Sequence, residues 1–110
     1  MQSGQADREA VLDRDFQALP REAAELIGLK ALGWIAAQPE LAGRFLDAAG
    51  ASAGEMRERA ADPEFLGFVL DFLLGDEEAL LAFATNEGLA PDRPLRARAA
   101  LPGGALPNWT

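Results

Sequence analysis

The sequence predicts an all-α fold, a compact bundle of about six short helices around a buried central helix. Three observations carry that expectation. Strand-favouring residues are scarce, with two isoleucines and no tyrosine, while alanine and leucine supply much of the 49% hydrophobic share. Proline and glycine recur where an apolar rhythm of helical period would start and stop. One stretch, Asp62 to Asp76, is apolar almost all round, since between Phe65 and Leu74 only Gly67 and Asp71 are not large and apolar. Those two lie four apart and form, with Glu64 and Gly75, one narrow stripe. Such a helix must be covered on nearly every side, with Phe65, Val69, Phe72 and Leu73 the most buried.

Taken in order, residues 1–18 form a polar N-terminal segment. A weak pattern from Ala6 to Phe16, with Val11, Leu12 and Phe16 on one side, leaves a short docking helix and a frayed tail both open. The helical domain spans 19–102. Pro20 starts its first helix, which runs to about Gln38 with Ile27, Ala31, Trp34 and Ile35 at core spacing. Pro39-Glu40 restarts the chain, with Leu41, Phe45 and Leu46 inward and Gly50 as the stop. Ser52-Ala53-Gly54-Glu55 reads as a capping box for a short helix carrying Met56, Ala60 and Ala61. Asp62-Pro63-Glu64 opens the central helix with a cap, a favoured first residue and an acid on the dipole. Gly75 breaks it. Asp76-Glu77-Glu78 starts the next helix, with Leu80, Leu81 and Phe83 apolar and Gly88 as terminator. A last short helix runs from Pro91 or Pro94 to Leu101, and 103–110 is a flexible tail without periodicity.

An internal repeat is visible at a shift of 38 positions. It pairs Leu32 with Leu70, Trp34 with Phe72, Ile35 with Leu73, Phe45 with Phe83 and Gly50 with Gly88. One inserted residue later, Met56 to Ala61 meets Leu95 to Ala100. The alternatives are a duplicated three-helix unit and a chance alignment of Leu- and Ala-rich helices. Two copies are too few for an open solenoid, so duplicated units would clasp each other.

Composition excludes more than it assigns. The net charge of −8 argues against nucleic acid and anionic membranes, which need positive surface. The greasiest run would span about 15 Å as a helix, roughly half a bilayer, so no membrane span is expected. The polar start carries no secretion signal, and the cytoplasm is the expected location. Cysteine and histidine are both absent, which removes thiolate chemistry, soft metal ligands and a Ser-His triad. Neither a cofactor nor a metal is implied.

The remaining candidates each have a plain structural explanation beside the chemical one. Asp71 is the carboxylate that burial could turn into an acid or base, or it simply lies on the exposed stripe beside Glu64. Asp76-Glu77-Glu78 caps a helix, because consecutive helical residues do not face one point for a metal. Lys30, the sole lysine, reads as a surface residue. Arg93, Arg96 and Arg98 give local positive charge and pair with an acidic partner or with the chain's own carboxylates. Trp109, in the tail, is either a lid or a docking residue.

The residues Gly33-Trp34-Ile35-Ala36, Pro39-Glu40-Leu41, Arg44-Phe45-Leu46 and Gly50 resemble the first half of a family pattern. The stretches Arg59 to Phe65, Val69 to Leu74 and Ala99 to Gly104 resemble the rest. The pattern is similar to a family of small helical alphaproteobacterial proteins, a domain of unknown function, over about residues 25–104. The resemblance implies a bacterial all-α protein and brings no activity or site residue with it.

The function expected from these observations is a small non-enzymatic interaction module, binding another protein or a second copy of itself. Ala48-Ala49, Ala60-Ala61 and Ala97 to Ala100 supply little covering area, so apolar surface should remain at the edge of the bundle. The expected partner-binding residues are Leu80, Leu81, Phe83 and Trp109. The alternatives are a carboxylate-based enzyme or metal-dependent regulator, with Asp71 at its centre, and a nucleic-acid-associated protein acting through the C-terminal arginines.

Overall fold

A computed structural model of the chain describes residues 18–103. Among them are six helices and no strand: α1 (Arg21–Ala36), α2 (Pro39–Ala49), α3 (Ala53–Arg59), α4 (Pro63–Leu74), α5 (Glu77–Glu87) and α6 (Arg93–Ala99). The fold is an all-α bundle. The expected N-terminal helix and the tail with Trp109 lie outside the described residues.

Local signals set the boundaries. Ser52 and Glu55 cap α3 reciprocally: the Ser52 N–H donates to Glu55 Oε1 at 2.9 Å and the Glu55 N–H to Ser52 Oγ at 3.2 Å. Asp62 Oδ1 accepts from the Glu64 N–H, and Asp76 Oδ1 from the Ala79 N–H. Helix α1 stops two residues before the expected Gln38. Gln38 precedes a proline, which pushes it out of the helical region to φ −101°, ψ 106°.

Helix α4 is central. It packs against α1, α5 and α6, and α6 also lies along α1. Val69, Leu70 and Leu73 are fully buried, and Phe65 and Leu66 nearly so. Phe45 of α2 is the aromatic hub. Its ring meets Phe65, Phe68 and Phe72 at 5.9, 5.6 and 5.1 Å between centroids. Edge contacts of this kind add about 0.5–1.5 kcal/mol each beyond area burial.

Two expectations about α4 need correcting. Phe72 is half-buried rather than fully buried, because it lies on the α2 side of the helix with one edge against Phe45. Gly67 does not share the exposed stripe of Glu64, Asp71 and Gly75 but is buried. The Arg98 guanidinium and the Pro102 carbonyl lie over it, so close that a Cβ there would stand 2.7 Å from Arg98 Nη1 and 3.3 Å from Pro102 O.

The two halves repeat one another bond by bond. Shifted by 38, the end of α1 falls on the end of α4, and both ends of α2 fall on those of α5. Gln38 N–H donates to Ile35 O at 3.0 Å, and Asp76 N–H to Leu73 O at 3.1 Å. Both second helices end on a left-handed glycine, Gly50 at φ 63° and Gly88 at φ 68°, a backbone state that side chains disfavour. The long-range contacts are reciprocal. Trp34 meets Phe83 edge-on at 5.9 Å, and Phe72, the counterpart of Trp34, meets Phe45, the counterpart of Phe83. Reciprocity of this form is what a twofold relation between copies produces.

The third helices break the symmetry. Residues 50–52 join α2 to α3, whereas the longer link 88–92 joins α5 to α6. The longer link lets α6 swing across α1 and α4, where Pro94 and Ala97 are buried. Helix α3, held short and continued at once into α4, buries no residue.

Candidate functional site

The sequence candidates do not assemble into one surface. Phe83 is fully buried against Trp34, Leu80 is half-buried, and Leu81 is 45% exposed. Trp109 lies outside the described residues. A helix turns 100° per residue, so Leu80 and Phe83 face inward together and Leu81 points away from them.

The charged candidates are engaged structurally. Asp71 is 53% exposed and holds Arg98 through two bonds, Nε to Oδ1 at 2.6 Å and Nη2 to Oδ2 at 2.9 Å. Arg98 is only 14% exposed and also donates from Nη1 to Pro102 O. It is thereby removed from any basic surface shared with Arg93 and Arg96. Asp76 caps α5 and meets Arg44 at 3.4 Å, while Lys30 meets Glu87 at 3.7 Å. No group of three or more acidic residues that could hold a metal occurs among the described residues.

The unabsorbed feature is a groove of ≈ 580 Å³ where α1, α2 and α3 meet. Leu29 and Gly33 of α1 form one wall, Leu46 of α2 another, and Met56 and Arg57 of α3 the third. It exists because α3, with Ala53 and Gly54 in its first turn and Ala60 just after it, buries no side chain between α1 and α2. Leu32 is buried at the groove floor, while Leu29 remains 46% exposed on its wall. A Cβ on Gly33 would meet nothing within 4 Å, so the wall is open there.

A smaller hollow of ≈ 360 Å³ lies between α2 and the start of α4, beside Ala48, Arg59, Asp62 and Phe68. Two of its polar groups already have partners: Asp62 caps α4, and the Arg59 guanidinium sits 5.7 Å over the Phe65 ring. The α1–α2–α3 groove was signalled in the sequence by Ala60-Ala61, too small to cover a neighbour, but its place in the bundle was not.

The six helices and this groove fall inside one family pattern. The pattern of a family described as "Protein of unknown function (DUF3572)" matches residues 21–104. The chain belongs to the DUF3572 family. The DUF3572 region begins with the first residue of α1 and takes in both repeated halves, the Arg98–Asp71 pair and all the groove residues. Neither the curated proteins nor the solved structures give a match to the chain. No helix among the described residues is long and apolar enough to cross a membrane.

Proposed function

We propose that this DUF3572 protein is a non-enzymatic docking module of the cytoplasm, and that the groove between α1, α2 and α3 receives another protein. The observation that carries this reading is the exposed Leu29 on the wall of a mostly apolar groove whose floor, Leu32, belongs to the core. Apolar surface that continues from the core to the outside gains free energy when covered, at about 25 cal/mol per Å². The groove replaces the α5 face around Leu80, Leu81 and Phe83 as the docking surface, because Phe83 has no exposed area to offer.

The test is site-specific photo-crosslinking of the full chain in its source organism. A benzophenone side chain at Leu29 should give a discrete protein adduct, and the same group at Leu81 should not. Gly33→Leu starts its side chain where a Cβ meets nothing within 4 Å, occupies the open wall and should remove the Leu29 adduct. An adduct that survives Gly33→Leu, or one formed equally from Leu81, would place docking elsewhere. An adduct of twice the chain's mass would make the partner a second copy.

A further inference from the structure

We infer that the occupant of the groove is an amphipathic α-helix of a partner protein that brings a carboxylate to Arg57. The inference rests on the docking reading above and deepens it.

The first argument is backbone supply. All three walls are helices, whose N–H and C=O groups are bonded within the helix. An extended peptide laid in the groove would find no edge to pair with and would bury its own polar backbone unsatisfied. A helix satisfies its backbone internally and needs only side-chain contact. The α1 wall from Leu29 to Ala36 is about 10 Å long at 1.5 Å per residue, room for two turns of a docked helix.

The chain's second half supplies the precedent. The counterparts of Leu29 and Gly33 are Gly67 and Asp71, and that face of α4 is covered by α6 and the segment after it. There the wall carries the acid and the covering helix carries the arginine, Arg98 on Asp71. In the first half position 33 has no side chain, α3 stays to one side, and the equivalent face is bare.

Position 33 offers no acid to an arginine of the third helix, so charge on α3 selects the occupant. Arg57 is the charged residue among the groove's lining. Arg21, Lys30, Arg44 and Arg98 each stand within 4.0 Å of a carboxylate, and Arg57 has none within that distance among the described residues. Covering the groove withdraws water from that guanidinium, which costs free energy unless an acceptor replaces the water. A carboxylate is the strongest available acceptor and takes the arginine fork in two bonds.

The test uses two fluorescent 16-residue helical peptides with leucines at positions i, i+3, i+4 and i+7. They differ in one flanking residue, glutamate or lysine, and are titrated by anisotropy against the full chain at low salt. The glutamate peptide should bind at least tenfold tighter than the lysine peptide, and Arg57→Glu should reverse the preference. Gly33→Leu, with unchanged circular dichroism, should weaken the glutamate peptide at least tenfold. Equal affinities that both fall with Gly33→Leu would keep the groove as a docking site and overturn the carboxylate pairing. Binding indifferent to Gly33→Leu, or no binding of either peptide, would overturn the helix in this groove. Saturable binding of decanoate without either peptide would assign the groove to a small amphiphile and overturn both readings.

Discussion

Arg98 and Asp71, 27 residues apart in sequence, are joined by two parallel bonds of 2.6 and 2.9 Å across a buried glycine. The arrangement ties α6 to α4 and, through the Pro102 carbonyl, fixes the chain beyond α6. Half of Asp71 faces water, so screening reduces the pair's worth, while Arg98 is almost enclosed. Arg98→Ala should cost about 1–2 kcal/mol in urea unfolding, mostly from lost packing and the orphaned carbonyl. Gly67→Ala should destabilise the natural protein, because its Cβ displaces Arg98. In the Arg98→Ala background the same change should cost less, because helix propensity then opposes only the Pro102 carbonyl, 3.3 Å from such a Cβ. An equal cost in both backgrounds would mean that Gly67 is not reserved for Arg98.

The reciprocal aromatic pairs predict a ranking. Phe45 and Phe83 are fully buried counterparts, and truncating either to alanine should cost about 3–5 kcal/mol. Phe72 is half-buried, so Phe72→Ala should cost less than Phe45→Ala by at least about 1 kcal/mol. Equal losses at Phe45 and Phe72 would contradict the packing described for α2 on α4.

What the sequence made legible was local. The Ser52–Glu55 box, the Asp62 and Asp76 caps and the glycine stops at Gly50 and Gly88 all act within four residues, and the starts of α3, α4 and α5 and the ends of α2 and α5 follow from them. The repeat was legible for the same reason, because equal glycine stops at equal spacing leave equal letters. Gly67 was not, since the residue that buries it, Arg98, arrives from another helix. The groove was half legible. Ala60-Ala61, just after α3, announce uncovered surface, but where it opens depends on the length of 50–52 against 88–92, a tertiary consequence. Grouping Leu81 with Leu80 and Phe83 took apolar character for a shared direction, which helical geometry denies.

The capping box of α3 has a measurable pH signature. The Ser52 backbone N–H, and after it the Ser52 hydroxyl, hold the Glu55 carboxyl below its ordinary value. A group lowered on folding stabilises fully above its unfolded pKa, about 4.3 for glutamate, and the contribution is lost as pH falls through the folded value. The Glu55 carboxyl carbon should therefore titrate at lower pH in the native chain than in urea. Glu55→Gln can still accept from Ser52 N–H but should remove that part of the acid sensitivity of α3. Coincident midpoints in native and unfolded chains would mean that the box does not form in solution.

Two glycines of α1 should respond to alanine with opposite signs. Gly33 opens on empty space along the groove, so Gly33→Ala adds helix propensity without a contact to disturb. It should stabilise by about 0.5–1 kcal/mol. Gly28 is buried where α1 crosses α4, and a Cβ there would stand 3.0 Å from the Leu66 Cβ. That neighbour is the root of a side chain on a fully packed helix and cannot swing aside as a chain end can. Gly28→Ala must push α1 from α4 at their closest approach, and overpacking of this kind costs about 1–3 kcal/mol, more than the propensity gained. Thermal unfolding of the two variants beside the natural chain decides it. A rise in Tm for Gly28→Ala would show that α1 and α4 lie farther apart than their contact at Leu66 requires, and a fall for Gly33→Ala would show that the groove wall is already occupied.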